Sequence, residues 1–215
     1  MLFYRKVKII MKIKQYVVGE VSTNCYIVIN EETSECLVID VGASASKIAL
    51  RMKQEGLQPK AILLTHGHFD HVSEAEELAK EFNILSYAYE GEEETLKDMH
   101  KNASWMLGRD ESYTADVYVK EEVLDLAGFQ IQVLHTPGHT KGGCCYYFKE
   151  HDVLFSGDTL FAGSVGRTDL AGGSMSQIVR SIQEKLMTLP DETVVYPGHG
   201  QATTIKTERN ENPYL

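Results

Sequence analysis

Four short apolar runs in this 215-residue chain each end in a turn that delivers a histidine or an aspartate. Ala61-Ile62-Leu63-Leu64-Thr65 runs into His66, and Gln132-Val133-Leu134-His135-Thr136-Pro137-Gly138 into His139. Val153-Leu154-Phe155-Ser156-Gly157 runs into Asp158, and Val194-Val195-Tyr196-Pro197-Gly198 into His199. Runs this short, rich in branched and aromatic residues, predict strands. Strand ends from one sheet edge lie side by side, so the pattern restricts the chain to folds that gather these polar groups on one edge. A glycine just ahead of His139, Asp158 and His199 lets the backbone turn sharply without a steric penalty.

The turn after the first run is the densest, with His66-Gly67-His68-Phe69-Asp70-His71 placing three imidazoles and a carboxylate within six positions. A lone histidine is usually a surface or packing residue, but this clustering reverses that expectation and marks a metal site. Imidazole nitrogens and carboxylate oxygens suit Zn, Fe or Mn, whereas Ca or Mg would require oxygen almost throughout. Val72, Ala75, Leu78, Ala79 and Phe82 recur at helical spacing, so a helix is expected from about Asp70, with Asp70 as its N-cap as well as a ligand. With His139, Asp158 and His199 added, the chain offers five histidines and two aspartates, more than one tetrahedral ion can use. Two divalent ions follow.

Composition narrows the setting. A formal charge of -10 and a pI near 5.3 disfavour nucleic acid and anionic membrane as partners. No stretch approaches 18 apolar residues, and the start lacks the apolar core and cleavage site of a signal peptide. Residues 1–10 read as an N-terminal extension ahead of Met11. Cys25, Cys36, Cys144 and Cys145 form no C-x-x-C pair, which points to reduced packing residues and a cytoplasmic location. Adjacent Cys144 and Cys145 on a strand would face opposite ways. Hairpins are expected over 26–39 and 145–155, further strands over 131–135 and 193–196, and helices over 44–55, 93–107 and from Ser174 to the stop at Pro190. No linker or repeat divides residues 1–215, which read as one α/β domain of packed sheets and helices.

These motifs resemble the metallo-β-lactamase fold superfamily: His66-x-His68-x-Asp70-His71, then His139 in Thr-Pro-Gly-His-Thr, Asp158 in Ser-Gly-Asp-Thr and His199 in Tyr-Pro-Gly-His-Gly. The resemblance implies an αββα four-layer sandwich, two mixed sheets face to face with helices outside and the metal site along one edge. It also implies that His66, His68 and His139 hold one ion, that Asp70, His71 and His199 hold the other, and that Asp158 bridges them. Asp40, in Val-Ile-Asp-Val-Gly, matches a position that supports the ligands from behind; its other reading is an ordinary turn aspartate. Gly157-Asp158-Thr159-Leu160-Phe161, Gly166-Arg167-Thr168-Asp169 and Glu208-Arg209-x-x-Asn212-Pro213 resemble the glyoxalase II-like thioester hydrolases, especially the short single-domain members. Asp158 in place of Cys argues against a zinc β-lactamase, and His68 in place of Glu against the flavodiiron oxygen reductases.

The ligand set implies two ions, most simply zinc with iron or manganese as alternatives, roughly 3.5–4 Å apart with a hydroxide bridging them as nucleophile. Asp70 would orient it and Asp158 would hold the ions together. The substrate would be a small-molecule acyl thioester. Arg167 matches a lysine that contacts glutathione in larger relatives, with an ion pair to Asp169 as the competing reading. Those relatives continue into a helical domain that grips glutathione, and the resemblance stops short of it, so the thiol carrier stays open. A mononuclear iron persulfide dioxygenase and a metallo-hydrolase of another ester or lactone are the alternative enzymes. A structural zinc site would close at four ligands, fewer than are offered here.

Overall fold

In a computed structural model of the chain, residues 9–215 are described; most of the extension read over 1–10 lies outside them. One mixed sheet runs in chain order through β1 (Met11–Val18), β2 (Thr23–Asn30), β3 (Glu35–Ile39), β4 (Gln58–Leu63), β5 (Leu85–Tyr89) and β6 (Val117–Val119), antiparallel up to β3 and parallel from there. The second contains β7 (Val123–Leu126), β8 (Phe129–His135), β9 (Cys144–Phe148) and β10 (Val153–Gly157). A small ribbon, β11 (Leu160–Phe161) and β12 (Ser164–Val165), precedes β13 (Val194–Pro197) and β14 (Thr203–Thr204), which complete that sheet beside β10. Within it only β10 and β13 pair in parallel.

Alternation along the strands sorts the side chains into layers. Tyr26, Val28, Leu37, Ile39 and Leu63 of the first sheet meet Phe129, Ile131, Val133, Tyr146 and Phe155 of the second. Burying each such large side chain contributes about 1.5–3 kcal/mol, so this layer fixes how the sheets face each other. The intervening residues Cys25, Ile27, Val38 and Ile62 turn outward onto α1 (Ala45–Gln54) and, beyond the short α2 (Phe69–Val72), onto α3 (Ala75–Phe82). After α4 (Glu93–Lys97), helices α5 (Met175–Ser181) and α6 (Ile205–Glu211) cover the other outer face, against Tyr147, Leu154 and Val195. The result is an αββα sandwich. Cys144 points into the central layer and Cys145 into the outer one, and all four cysteines are buried free thiols. Burial pushes the Cys145 thiol up to about 11, so it stays protonated and fills space.

Three local expectations are corrected. The helix expected from Asp70 is broken into α2 and α3, because Glu74 leaves the ladder: its N–H donates to the Val41 carbonyl at 2.9 Å, and its carboxylate accepts the Ala45 N–H at 2.6 Å at the start of α1. Asp70 is not an N-cap. His68 holds that position, and Asp70 sits in the first turn with its carboxylate turned toward Thr23 and two imidazoles. The helix expected over 93–107 stops at Lys97 and resumes only as a 3-10 turn over Ser104–Leu107. There the Asp98 side chain accepts the His100 N–H, and buried Asn102 bonds the Leu96 and Glu111 carbonyls, so side chains outcompete the helical ladder. The late helix does start at Ser174, whose hydroxyl accepts the Gln177 N–H, and continues past α5 as a π turn over Ile182–Leu186.

Candidate metal centre

The ligand-bearing turns come from both sheets, not from the edge of one. His66, His68, Asp70 and His71 follow β4 of the first sheet; His139, Asp158 and His199 follow β8, β10 and β13 of the second. The expectation of a single sheet edge fails because sequence shows where strands end but not which sheet each joins. All seven meet at one end of the sandwich. Their approach needs glycine at Gly138, Gly157 and Gly198. At Gly157, φ is +49° and a Cβ would lie 2.4 Å from Thr65 Oγ1; at Gly198, whose φ is not positive, a Cβ would lie 2.2 Å from Asp158 Oδ1. Space, and not only turn geometry, selects glycine ahead of the ligands.

Three imidazoles converge first. His68 Nδ1 lies 3.2 Å from His66 Nε2 and 2.9 Å from His139 Nε2. Two of the outward nitrogens are held from behind, His139 Nδ1 donating to the Arg167 carbonyl at 2.8 Å and His66 Nδ1 lying 3.1 Å from the Thr65 hydroxyl, whereas His68 turns Nδ1 inward and its buried Nε2 has no partner. The His139 and His66 rings are thereby fixed with Nε2 free to coordinate. Burial, reinforced by the neighbouring imidazoles, holds His66 and His68 well below the usual histidine range, and burial likewise lowers His139. They are neutral, the form that binds a metal.

Beside them Asp70 Oδ2 lies 3.3 Å from His71 Nε2 and 3.2 Å from His199 Nε2, while accepting the Thr23 hydroxyl at 2.7 Å. Asp158 stands between the two groups, with Oδ1 3.4 Å from His71 Nε2 and Oδ2 3.5 Å from His139 Nε2 and 3.6 Å from His199 Nε2. Asp40 is fully buried behind them. Its Oδ2 lies 2.8 Å from His71 Nδ1 and accepts the Thr65 hydroxyl, and its Oδ1 accepts the Thr65 N–H, so it orients His71 as well as turning the chain at φ 54°.

The electrostatics of this half are inverted. Burial pulls His71 down, but Asp70, Asp158 and Asp40 outweigh it and hold the imidazole well above its ordinary value. Burial also opposes the charge on Asp70, yet His71, His199 and Thr23 hold its carboxyl far below the usual carboxylate range. His199 is raised, burial being outweighed by Asp70 and Asp158. Three carboxylates thus demand positive charge in a buried space. His71 Nε2 and Asp158 Oδ1 are buried without a hydrogen-bond partner, although such groups are nearly always satisfied. A divalent cation would satisfy both, so the residues fit a bound metal.

Arg167 reaches this centre only through its backbone carbonyl; its guanidinium forms a two-point pair with Asp169 at 2.7 and 2.8 Å and is about half exposed. His135 stands apart, stacked on Tyr89 at 4.2 Å. Thr65 and Thr23 were missed by sequence reading. Thr65 carries a usable signal, a hydroxyl directly ahead of the first ligand in the turn after β4; Thr23 carries none.

An αββα sandwich with seven clustered His and Asp donors at one end defines a divalent-metal enzyme site of the metallo-hydrolase kind. The chain belongs to the metallo-beta-lactamase superfamily, whose family model matches residues 18–199. It is 40% identical over 208 residues to the "Probable metallo-hydrolase YqgX" of Bacillus subtilis, covering 95% of this chain and 98% of that protein. To the hydroxyacylglutathione hydrolase GloC of Haemophilus influenzae it is 34% identical over 196 residues, 89% of this chain and 92% of GloC. Among solved structures it superposes on the BLEG-1 B3 metallo-beta-lactamase with a TM-score of 0.90 and 39% identity, covering 95% of this chain and 99% of that one. The di-iron-bound form of TTHA1623 gives a TM-score of 0.82 at 36% identity, covering 94% and 100%.

Proposed function

We propose that this protein hydrolyses a small acyl thioester, using two divalent ions held by His66, His68 and His139 on one side and Asp70, His71 and His199 on the other, with Asp158 shared. The observation that carries the two-ion reading is the position of Asp158, one oxygen toward His71 and the other toward His139 and His199. When bound, such a pair supplies an activated water and a Lewis acid for the acyl oxygen. Asp70 commits Oδ2 to Thr23, His71 and His199, which leaves Oδ1 to orient the attacking water by accepting a hydrogen bond from it. A cleft of about 560 Å³ beside Asp70, between Glu20 of the β1–β2 turn and Arg109 and Tyr113, admits the substrate. Arg167 is the second cation offered to an acidic substrate group, provided that it exchanges Asp169 for it. A thiolate leaves without a strong general acid, and no cysteine nucleophile is required.

The thioester is supported by the likeness to GloC. The donor chemistry suits zinc, iron and manganese, of which zinc is the simplest reading, and the di-iron form of TTHA1623 supports iron as the alternative. Four buried reduced cysteines support a cytoplasmic location. Among the described residues no helix is long and apolar enough to cross a membrane. The test is thiol release from S-lactoylglutathione and a panel of acyl thioesters, with His66→Ala and Asp158→Ala inactive. A metal-loaded protein that turns over none of them refutes the thioester reading, and oxygen uptake with a persulfide would move it to the dioxygenase class. The likeness to BLEG-1 favours a second reading, β-lactam hydrolysis; turnover of a chromogenic cephalosporin faster than of any thioester would establish it.

A further inference from the structure

Glu92 is fully buried, at 1% exposure, and no lysine or arginine is paired with it among the described residues. A buried carboxylate without a cation is costly unless hydrogen bonds compensate it. Its two oxygens go to two different loops: Oε1 accepts the Gly67 N–H at 2.9 Å and Oε2 the Gly142 N–H at 2.7 Å. Gly67 lies between His66 and His68, and Gly142 follows His139 in the same loop, which is closed on itself by Thr136 N–H to the Gly143 carbonyl at 2.8 Å and Gly138 N–H to the Thr140 carbonyl at 2.9 Å. One carboxylate therefore spans the two sheets at the loops that carry all three converging imidazoles. The seat is tight: a Cβ on Gly142 would lie 2.6 Å from Glu92 Oε2, and one on Gly67 would lie 3.1 Å from the Leu96 side chain of α4. Asp70, His71 and His199 have no such link to Glu92.

We infer that Glu92 is a positioning residue for one half of the metal centre, clamping the His66–His68 turn to the His139 loop so that their three nitrogens hold one ion. This rests on the two-ion reading proposed above. Burial pushes its carboxyl up to about 7, against the Gly67 and Gly142 N–H groups and the Thr140 and Thr95 side chains.

The experiment measures Co²⁺ affinity and the cobalt visible spectrum with Glu92→Gln placed in two backgrounds. His199→Ala leaves the three-imidazole half as the binding site, and His139→Ala leaves the other. The amide keeps the volume but sets an NH₂ against one backbone N–H, releasing one loop. In the His199→Ala background it is expected to weaken Co²⁺ binding about 10- to 100-fold and shift the spectrum. In the His139→Ala background both are expected to stay unchanged. Glu92→Met, which keeps the bulk and drops the charge, should repeat the selective loss. Equal losses in both backgrounds, no loss in either, or failure of both variants to fold would overturn the inference, the last by making Glu92 merely structural. Wild-type protein that binds no cobalt would overturn the two-ion reading itself, and this inference with it.

Discussion

Replacing Asp40 by Asn should disable one half of the centre without touching a ligand. Asp40 accepts three protons, from the Thr65 N–H at 2.8 Å, the Thr65 hydroxyl at 2.7 Å and His71 Nδ1 at 2.8 Å. An amide has one accepting oxygen. The Thr65 N–H can only donate, so the oxygen must stay opposite it, which places the NH₂ where Oδ2 was. Thr65 can reverse its hydroxyl to accept, but His71 then meets a donor at Nδ1 and must move its proton to Nε2, the atom facing Asp70 and Asp158. A protonated Nε2 cannot coordinate. Loss of such a supporting partner costs about 10- to 100-fold in metal affinity, or about 1.4–2.7 kcal/mol. Competition against a chromophoric chelator should show one of two ions weakened by that factor, and ¹⁵N chemical shifts of His71 should report the exchanged tautomer. If both ions bind Asp40→Asn as in the wild type and the His71 proton stays on Nδ1, the reasoning about Asp40 is refuted.

Acidification should strip the ions in order. His71 and His199 are raised and meet proton competition from above the ordinary imidazole range, whereas His66, His68 and His139 are lowered and meet it only below that range. Metal content after desalting at stepped pH should therefore fall from two ions to one before it falls to none, and a single concerted loss would contradict the assignment. Glu92 makes a separate contribution in metal-free protein. With its pKa raised from 4.5 to about 7, the native state binds more protons than the unfolded one between those values, so its contribution is fully present below 4.5 and is lost as pH rises through 7. Glu92→Gln should thus gain about 3 kcal/mol relative to wild type between pH 4.5 and pH 8 in urea unfolding; parallel curves at both pH values would disprove the burial argument. Arg167→Ala should leave the melting temperature nearly unchanged, because its pair with Asp169 is exposed, while raising KM with kcat kept. An unaltered KM removes Arg167 from the substrate contacts.

What sequence alone disclosed depended on how strongly each residue's surroundings marked it. β2, β3, β9 and β10 bury both faces over Cys25–Ile29, Cys36–Ile39, Cys144–Phe148 and Val153–Phe155, and so carry continuous apolar runs. β6 and β7, with three and four residues at sheet edges, are too short to carry a period. β1 does alternate, Met11 and Ile13 packing inward between exposed or half-buried lysines, but that same alternation near a chain start reads equally as a basic extension. The candidate ligands were legible because metal chemistry confines such residues to few types and the fold brings them to strand ends. Glu92 obeys neither constraint. It stands in Glu90-Gly91-Glu92-Glu93-Glu94, where composition predicts a solvated charged face, and only tertiary packing draws one of those four carboxylates under the ligand loops while its neighbours Glu93 and Glu94 bind exposed lysines. A residue that organises a site through backbone N–H groups leaves no side-chain partner for sequence to pair it with, so groups of this kind are found by asking what each buried charge bonds to.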